Sequence, residues 1–205
     1  MSIELLNIDC MDYMKDLPDN AFDLAIVDPP YGIDVNSMNM GGRKTVQPTK
    51  KDWDKSIPED IYFRELFRVS KNQVIWGGNY FELPQSQYFA IWDKGETMYG
   101  RDFAECEYAW ISKGGTRIFK LSPNQLDRFH PTQKPVKLYQ WLLDKYAKPG
   151  DKILDTHLGS ASSAIAAHYA GYDFVGMEID KHYYDLACKR FKKDTAQIDM
   201  FGGTA

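Results

Sequence analysis

A chain of 205 residues that is 43% apolar and 26% charged is long enough for one sizeable core and has the balance of a soluble globular domain. A formal charge of −4 excludes a protein that coats nucleic acid through overall positive charge, because that affinity comes from phosphate neutralisation; a local basic groove stays open. No apolar run approaches the roughly 20 residues of a membrane span, and Met1-Ser2-Ile3-Glu4 lacks the basic segment of a signal peptide, so a cytoplasmic protein with no membrane partner is expected. Cys10, Cys106 and Cys188 are scattered, and His130, His157, His168 and His182 show no ligand-like spacing with them. Reduced thiols and no structural metal are expected.

In chain order, residues 4–9 read as a short strand and 11–17 as a helix closed by Pro18. Leu24-Ala25-Ile26-Val27 is a continuous apolar run, the pattern of a strand buried on both faces of a parallel sheet. It stops at Asp28-Pro29-Pro30-Tyr31, because the two prolines have no N–H for a ladder. Between 32 and 58 apolar periodicity vanishes and basic residues gather, which suggests a long mobile loop of functional use. Residues 59–69 have helical spacing, with Arg64 and Arg68 expected on an exposed side. Strands follow at 73–76, 88–92 and 107–111, and their short connectors point to antiparallel pairing at one edge. No element is evident from 114 to 129.

A helix at 136–146 starts after Pro135 and stops at Lys148-Pro149-Gly150. A strand (152–155), a glycine turn, a helix (160–170), a strand (174–178) and a helix (181–191) then make a βαβ unit of nucleotide-binding length. One domain over 1–193 is expected, with 194–205 a frayed tail.

Three clusters carry chemistry. In Asp28-Pro29-Pro30-Tyr31, an acid and unbonded carbonyls at a strand's carboxyl end suit an amino group, and Tyr31 offers a face on which a base can stack. In Asp155-Thr156-His157-Leu158-Gly159-Ser160-Ala161, the chain turns on Gly159 into a helix whose first N–H groups can hold a carboxylate, while Glu178 ends the next strand where an acid accepts ribose hydroxyls. A nucleoside bearing a carboxylate fits both, and S-adenosylmethionine (SAM) is such a molecule. The third cluster, His130-Pro131-Thr132-Gln133-Lys134-Pro135, sets a hydroxyl and an ammonium just before a helix.

Together these motifs resemble the SAM-dependent DNA amino-methyltransferases, in the permuted order of the β group, over roughly residues 3 to 192. The resemblance implies an α/β, Rossmann-like, circularly permuted methyltransferase fold, a mostly parallel sheet with an antiparallel edge. It also implies transfer of a methyl group from SAM to the exocyclic amine of a flipped base in duplex DNA. Asp28, Pro29, Pro30 and Tyr31 would be catalytic. Asp9 and Cys10 would touch the SAM adenine, Glu178 its ribose, and Thr132, Lys134, Asp155, Gly159 and Ser160 the methionine end. Asp28 lies against the cofactor as well, and within the clamp it reads as the only charge. Phe103 and Glu107 match a further family spacing near the target pocket. An Asp at the head of the tetrapeptide accompanies adenine more often than cytosine in the family. Cytosine N4, RNA or protein amides as acceptors, and a non-catalytic SAM- or DNA-binding subunit, are the alternatives; restriction-modification is the family's usual setting.

Two departures stand out. Thr156, His157 and Ala161 replace the Pro, Phe and final Gly of the family's Asp-Pro-Phe-x-Gly-Ser-Gly turn. His157 can keep the packing of the lost ring against SAM, and Ala161 is a mild change if its φ is negative. The short span between Glu107 and His130 also leaves no large target-recognition region. Sequence reading would then come from the 32–58 loop, from Arg117, Lys120 and Arg128, or from the second subunit of a homodimer.

Overall fold

The computed structural model describes residues 1–33, 56–101, 104–124 and 128–196. Its strands are β1 (Ile3–Leu6), β2 (Phe22–Val27), β3 (Ser70–Trp76), β4 (Tyr88–Asp93), β5 (Cys106–Ile111), β6 (Arg117–Lys120), β7 (Lys152–Asp155) and β8 (Asp173–Met177). The helices are α1 (Cys10–Met14), α2 (Asp60–Val69), α3 (Val136–Tyr146), α4 (Ser162–Ala170) and α5 (Lys181–Thr195). All eight strands join one sheet in the order β1-β8-β7-β2-β3-β5-β4-β6. The pairs from β1 to β3 are parallel, whereas β5 runs antiparallel to both β3 and β4.

The apolar run in β2 is covered on both faces. Leu24 and Ile26 pack in one layer with Leu138 and Leu142 of α3 and Ala164 of α4, while Ala25 and Val27 pack in the other with Met14, Phe63 and Leu66. Helices on both faces of a mainly parallel sheet make this a doubly wound, Rossmann-like α/β fold, the architecture expected from the motifs. From β7 the chain passes to β8 on one side and from β2 to β3 on the other, with β1 at the edge beside β8. That reversal opens a crevice beyond the strand ends, where Asp155 closes β7 and Asp28 follows β2.

Several local expectations need correction. β1 ends at Leu6, because Asp9 caps α1 and accepts the Met11 N–H at 2.8 Å. Four residues in the stretch 114–129 form β6, which pairs with β4 in parallel. Arg68 is not a free surface charge: its guanidinium donates to the Leu17 and Met14 carbonyls and pairs with Glu65, tying α2 to α1. The helix expected from Ser160 starts at Ser162, after Ala161 takes φ 62° and ψ 21°. The final glycine of the family turn is therefore replaced where glycine-like geometry is still required.

A left-handed alanine costs roughly 1–2 kcal/mol. Glycine would remove that strain but lose a buried methyl worth about 0.8 kcal/mol and some unfolded-state advantage. Ala161→Gly should leave stability within about 1 kcal/mol of wild type, whereas Ala166→Gly, in the interior of the same buried helix, should cost about 2 kcal/mol. Urea unfolding of the two variants measures the difference.

Candidate active site

Asp28 sits where β2 gives out, and its carboxylate is fully engaged. Oδ2 accepts from Lys134 Nζ at 2.6 Å and Oδ1 from the Tyr31 hydroxyl at 2.5 Å. The Lys134 ammonium also lies 3.0 Å from Glu107 Oε2. Lys94, just beyond β4, pairs with the other oxygen of Glu107 at 3.0 Å. Two carboxylates and two ammoniums thus alternate across the strand ends, so Asp28 is not the only charge in the clamp. Lys134 turns toward Asp28, with the faces of Trp76 and Tyr31 at 5.3 and 5.8 Å from its nitrogen.

Burial pushes the Asp28 carboxyl above its ordinary range, against the pull of Lys134. For Lys134 burial works against the charge, but Asp28 and Glu107 outweigh it and raise the pKa. Glu107 is likewise desolvated, yet Lys134 and Lys94 hold its pKa below the usual carboxylate value. Each carboxylate oxygen can accept about two bonds. Asp28 can therefore still take an incoming N–H while it stays paired.

Tyr31 does not present an open face. Its ring stacks on Tyr80 at 5.0 Å and 8°, with Phe81 at its edge. Tyr80 is brought there by a turn through Gly77, whose φ is 69° and at which an added Cβ would come within 2.2 Å of the Tyr31 ring. Neither the turn nor the ring beside it would tolerate a larger residue.

Next to the clamp is a cavity of about 230 Å³, lined in part by Asp28, Pro30, Thr132, Lys134, His157, Gly159, Ser160 and Glu178. Those eight were singled out by sequence. His130, Gln133, Tyr139, Leu158, Ser162, Ile179, Asp180 and Tyr183 complete its wall. Gln133 and His130 belong to a motif already noticed, and Asp180 could have been found as the cap of α5, where it accepts from His182 and Tyr183. Tyr139 and Tyr183 read as ordinary helix core residues and carry no signal of their own.

Glu178 Oε2 accepts the Gly159 N–H at 3.0 Å and Oε1 the Asp180 N–H at 2.9 Å. Ser162 Oγ donates to the Lys134 carbonyl at 2.7 Å, and Arg190 of α5 donates to the Ser160 carbonyl at 2.8 Å. The glycine turn and the His-Pro-Thr-Gln-Lys-Pro segment are thus one rigid wall. Thr132 Oγ1 lies 3.1 Å from His130 Nδ1, and burial lowers the His130 pKa to about 3, so that ring is neutral.

Asp9, Cys10, Pro29, Tyr31, Asp155 and Ala161 lie outside the cavity wall. Asp9 caps α1 and Cys10 begins it, with Glu178 close enough to act on the Cys10 thiol; burial lifts that thiol to about 12, which makes it an inert neutral group. Asp155 accepts from Ser163 Oγ and the His157 N–H, so it ties the turn to α4. Arg128 donates to the His130 and Pro131 carbonyls, and Lys120 pairs with Glu96 at 2.9 Å. Phe103 and residues 34–55 of the 32–58 loop fall outside the described residues. Among the described residues no helix is long and apolar enough to cross a membrane.

Burial raises the Asp155 pKa to about 7. Its folded pKa exceeds the unfolded value, so the folded state binds the extra proton and this contribution to stability is full below about pH 4 and lost as pH rises to about 7. Asp155→Asn can retain both hydrogen bonds without the charge. It should match wild type near pH 4 and exceed it by an amount on the order of a few kcal/mol at pH 8, by urea unfolding at both pH values.

A family model described as DNA methylase matches residues 85–189, about half of the chain. The YubD protein of Escherichia coli strain K12, a methylase by its name, is 28% identical over 198 residues, covering 89% of this chain and 87% of its own. Among solved structures, the complex of M1.HpyAVI with SAM superposes with a TM-score of 0.60 at 21% identity, covering 92% of this chain and 99% of that one. The PvuII DNA methyltransferase, cytosine-N4-specific, gives 0.59 at 11% identity, covering 96% and 91%. At such identities the two structures establish the shared fold.

Proposed function

Because the chain belongs to the DNA methylase family, we propose that it methylates the exocyclic N6 of adenine in DNA, using SAM as donor and Asp28-Pro29-Pro30-Tyr31 as the clamp for the amine. Residues 1–193 act as one catalytic domain in this reading. The observation that carries it is the Asp28 carboxylate, paired with Lys134 at 2.6 Å and lining the cavity that also contains Glu178.

The wall suits SAM at both ends. Glu178 takes the ribose hydroxyls beside Asp9 and Cys10, and Thr132, Gly159 and Ser160 hold the methionine end. When bound, SAM supplies an electrophilic methyl group. Asp28 and the Pro29 carbonyl accept the N–H bonds of the amine and aim its lone pair toward the cavity, and Asp28 takes up the proton released as the amine is alkylated. Catalysis is then mainly positioning and electrostatic stabilisation of the developing positive charge. The base must leave the helix to reach the clamp, at a cost of a few kcal/mol. It engages Tyr31 by displacing the Tyr80 ring, which stacks on Tyr31 and is 43% exposed.

Adenine is favoured by the acid at the head of the tetrapeptide, and cytosine N4 is the rival. Incubation with SAM and mixed-sequence duplex DNA, then digestion to nucleosides and chromatography, separates them. N6-methyldeoxyadenosine is expected; N4-methyldeoxycytidine selects the rival, and no methylated nucleoside despite bound SAM selects a non-catalytic subunit. RNA and protein acceptors belong in the same assay as competitors.

A further inference from the structure

Thr156 and His157, the two residues that depart from the family turn just before Gly159, are joined in the folded chain. The Tyr62 hydroxyl lies 2.7 Å from Thr156 Oγ1, and Thr156 Oγ1 lies 2.9 Å from His157 Nδ1. Tyr62 comes from α2, on the other side of the crevice, and its ring meets the His157 ring edge-on at 5.4 Å.

The direction of these bonds follows from counting protons. Three groups share two contacts, and the threonine hydroxyl has one hydrogen to give. If His157 carried its proton on Nδ1 and donated to Thr156, then either Thr156 would donate to Tyr62, or Thr156 would accept from both and its own hydrogen would be left over. In the first case the Tyr62 O–H and in the second the Thr156 O–H has no acceptor among the described residues, although Tyr62 is 4% and Thr156 3% exposed. A buried donor left unsatisfied is costly. In the opposite direction Tyr62 donates to Thr156, Thr156 donates to Nδ1, and every hydroxyl hydrogen is used. His157 is then the neutral tautomer with its proton on Nε2. Burial agrees, lowering the His157 pKa to about 4.

Nε2 has no protein partner among the described residues, yet His157 lines the cavity. The turn thus offers an oriented N–H where the family pattern has a phenylalanine ring. We infer that His157 Nε2–H donates a hydrogen bond to an acceptor atom of the bound cofactor, and that Thr156 and Tyr62 are positioning residues that fix its tautomer. The inference rests on reading the cavity as the SAM site. It also accounts for the two substitutions occurring together, because proline at 156 would supply no hydroxyl to orient the imidazole.

The test separates a donor from a ring. S-adenosylhomocysteine, which shares the nucleoside and carboxylate of SAM, is titrated by calorimetry into wild type, His157→Phe and His157→Gln. Glutamine keeps an N–H donor at similar reach and loses the ring; phenylalanine does the reverse. His157→Phe should bind about 3- to 10-fold more weakly, the loss of one hydrogen bond, and His157→Gln should stay within about threefold of wild type. Equal or tighter binding by His157→Phe, with weaker binding by His157→Gln, overturns the inference. Nitrogen-15 NMR of the imidazole in the wild-type complex is independent of whether the variants fold. It should show a bare Nδ1 and a protonated Nε2, and Thr156→Val should turn this into a tautomer mixture; a protonated Nδ1 in the wild-type complex overturns the inference. If wild type binds neither S-adenosylhomocysteine nor SAM, the cofactor reading itself fails, a result distinct from either of these.

Discussion

Asp28→Ala should abolish methyl transfer, lowering kcat by about 10³-fold or more while SAM affinity stays within about threefold. In the proposed reaction the carboxylate meets the amine, and loss of a preorganised charged acceptor together with a proton acceptor removes effects of about 10² to 10⁴ each. Most of the cavity wall is built from other elements, with Glu178 held by the Gly159 and Asp180 N–H groups. Lys134 would still have Glu107 at 3.0 Å, so the variant should fold with a reduced melting temperature. Single-turnover transfer of a labelled methyl group, beside calorimetry with SAM, reads both halves of the expectation. A variant that turns over at more than a tenth of the wild-type rate would show that the amine is held elsewhere.

Lys134→Met should be the most destabilising change at the site. It leaves Asp28 and Glu107 as two buried carboxylates, with Lys94 reaching only Glu107. Removing one partner from a buried charge network costs about 3–5 kcal/mol. The sign of the pH dependence follows from Asp28. Without its cation the folded pKa rises further above the unfolded value, so the deficit is small below the unfolded pKa and grows as pH rises through the folded one. Urea unfolding of Lys134→Met at pH 4 and pH 8 should show the larger loss at pH 8. Lys134→Arg keeps the charge and should recover much of the stability. A uniform loss at both pH values would mean that packing, not charge, is the role of Lys134.

How far these features could be read in the sequence depends on whether they are local. The strand run ending at Val27, the helix at 136–146 and the β7–α4–β8–α5 unit were legible because periodicity and punctuation lie within each segment. The placing of Asp28, Gly159 and Glu178 around one cavity was legible because a strand end and a following turn define where such residues project. β6 was not, since four residues reading Arg-Ile-Phe-Lys at a sheet edge have neither length nor a buried face; Ile118 is 69% exposed. The Asp28–Lys134 pair joins residues 106 apart, and no spacing rule connects them. The resemblance places Lys134 at the methionine end of the cofactor; the structure puts it on the cavity wall and also pairs it with Asp28. For Ala161 the sequence leaves the question conditional on φ, because composition does not report the φ that a turn demands; φ is 62°, and the turn keeps the shape of the glycine it lacks.

The site therefore depends on an acid whose charge is compensated before any substrate arrives, which keeps the clamp in place at the strand ends. The most direct test is long-read modification mapping of DNA from cells expressing the wild-type chain, compared with cells expressing Asp28→Ala. N6-methyladenine in a recurring sequence context with wild type, and none with the variant, is the predicted result. An unmodified genome with wild type, methylation confined to cytosine, or an equal signal from Asp28→Ala would contradict it.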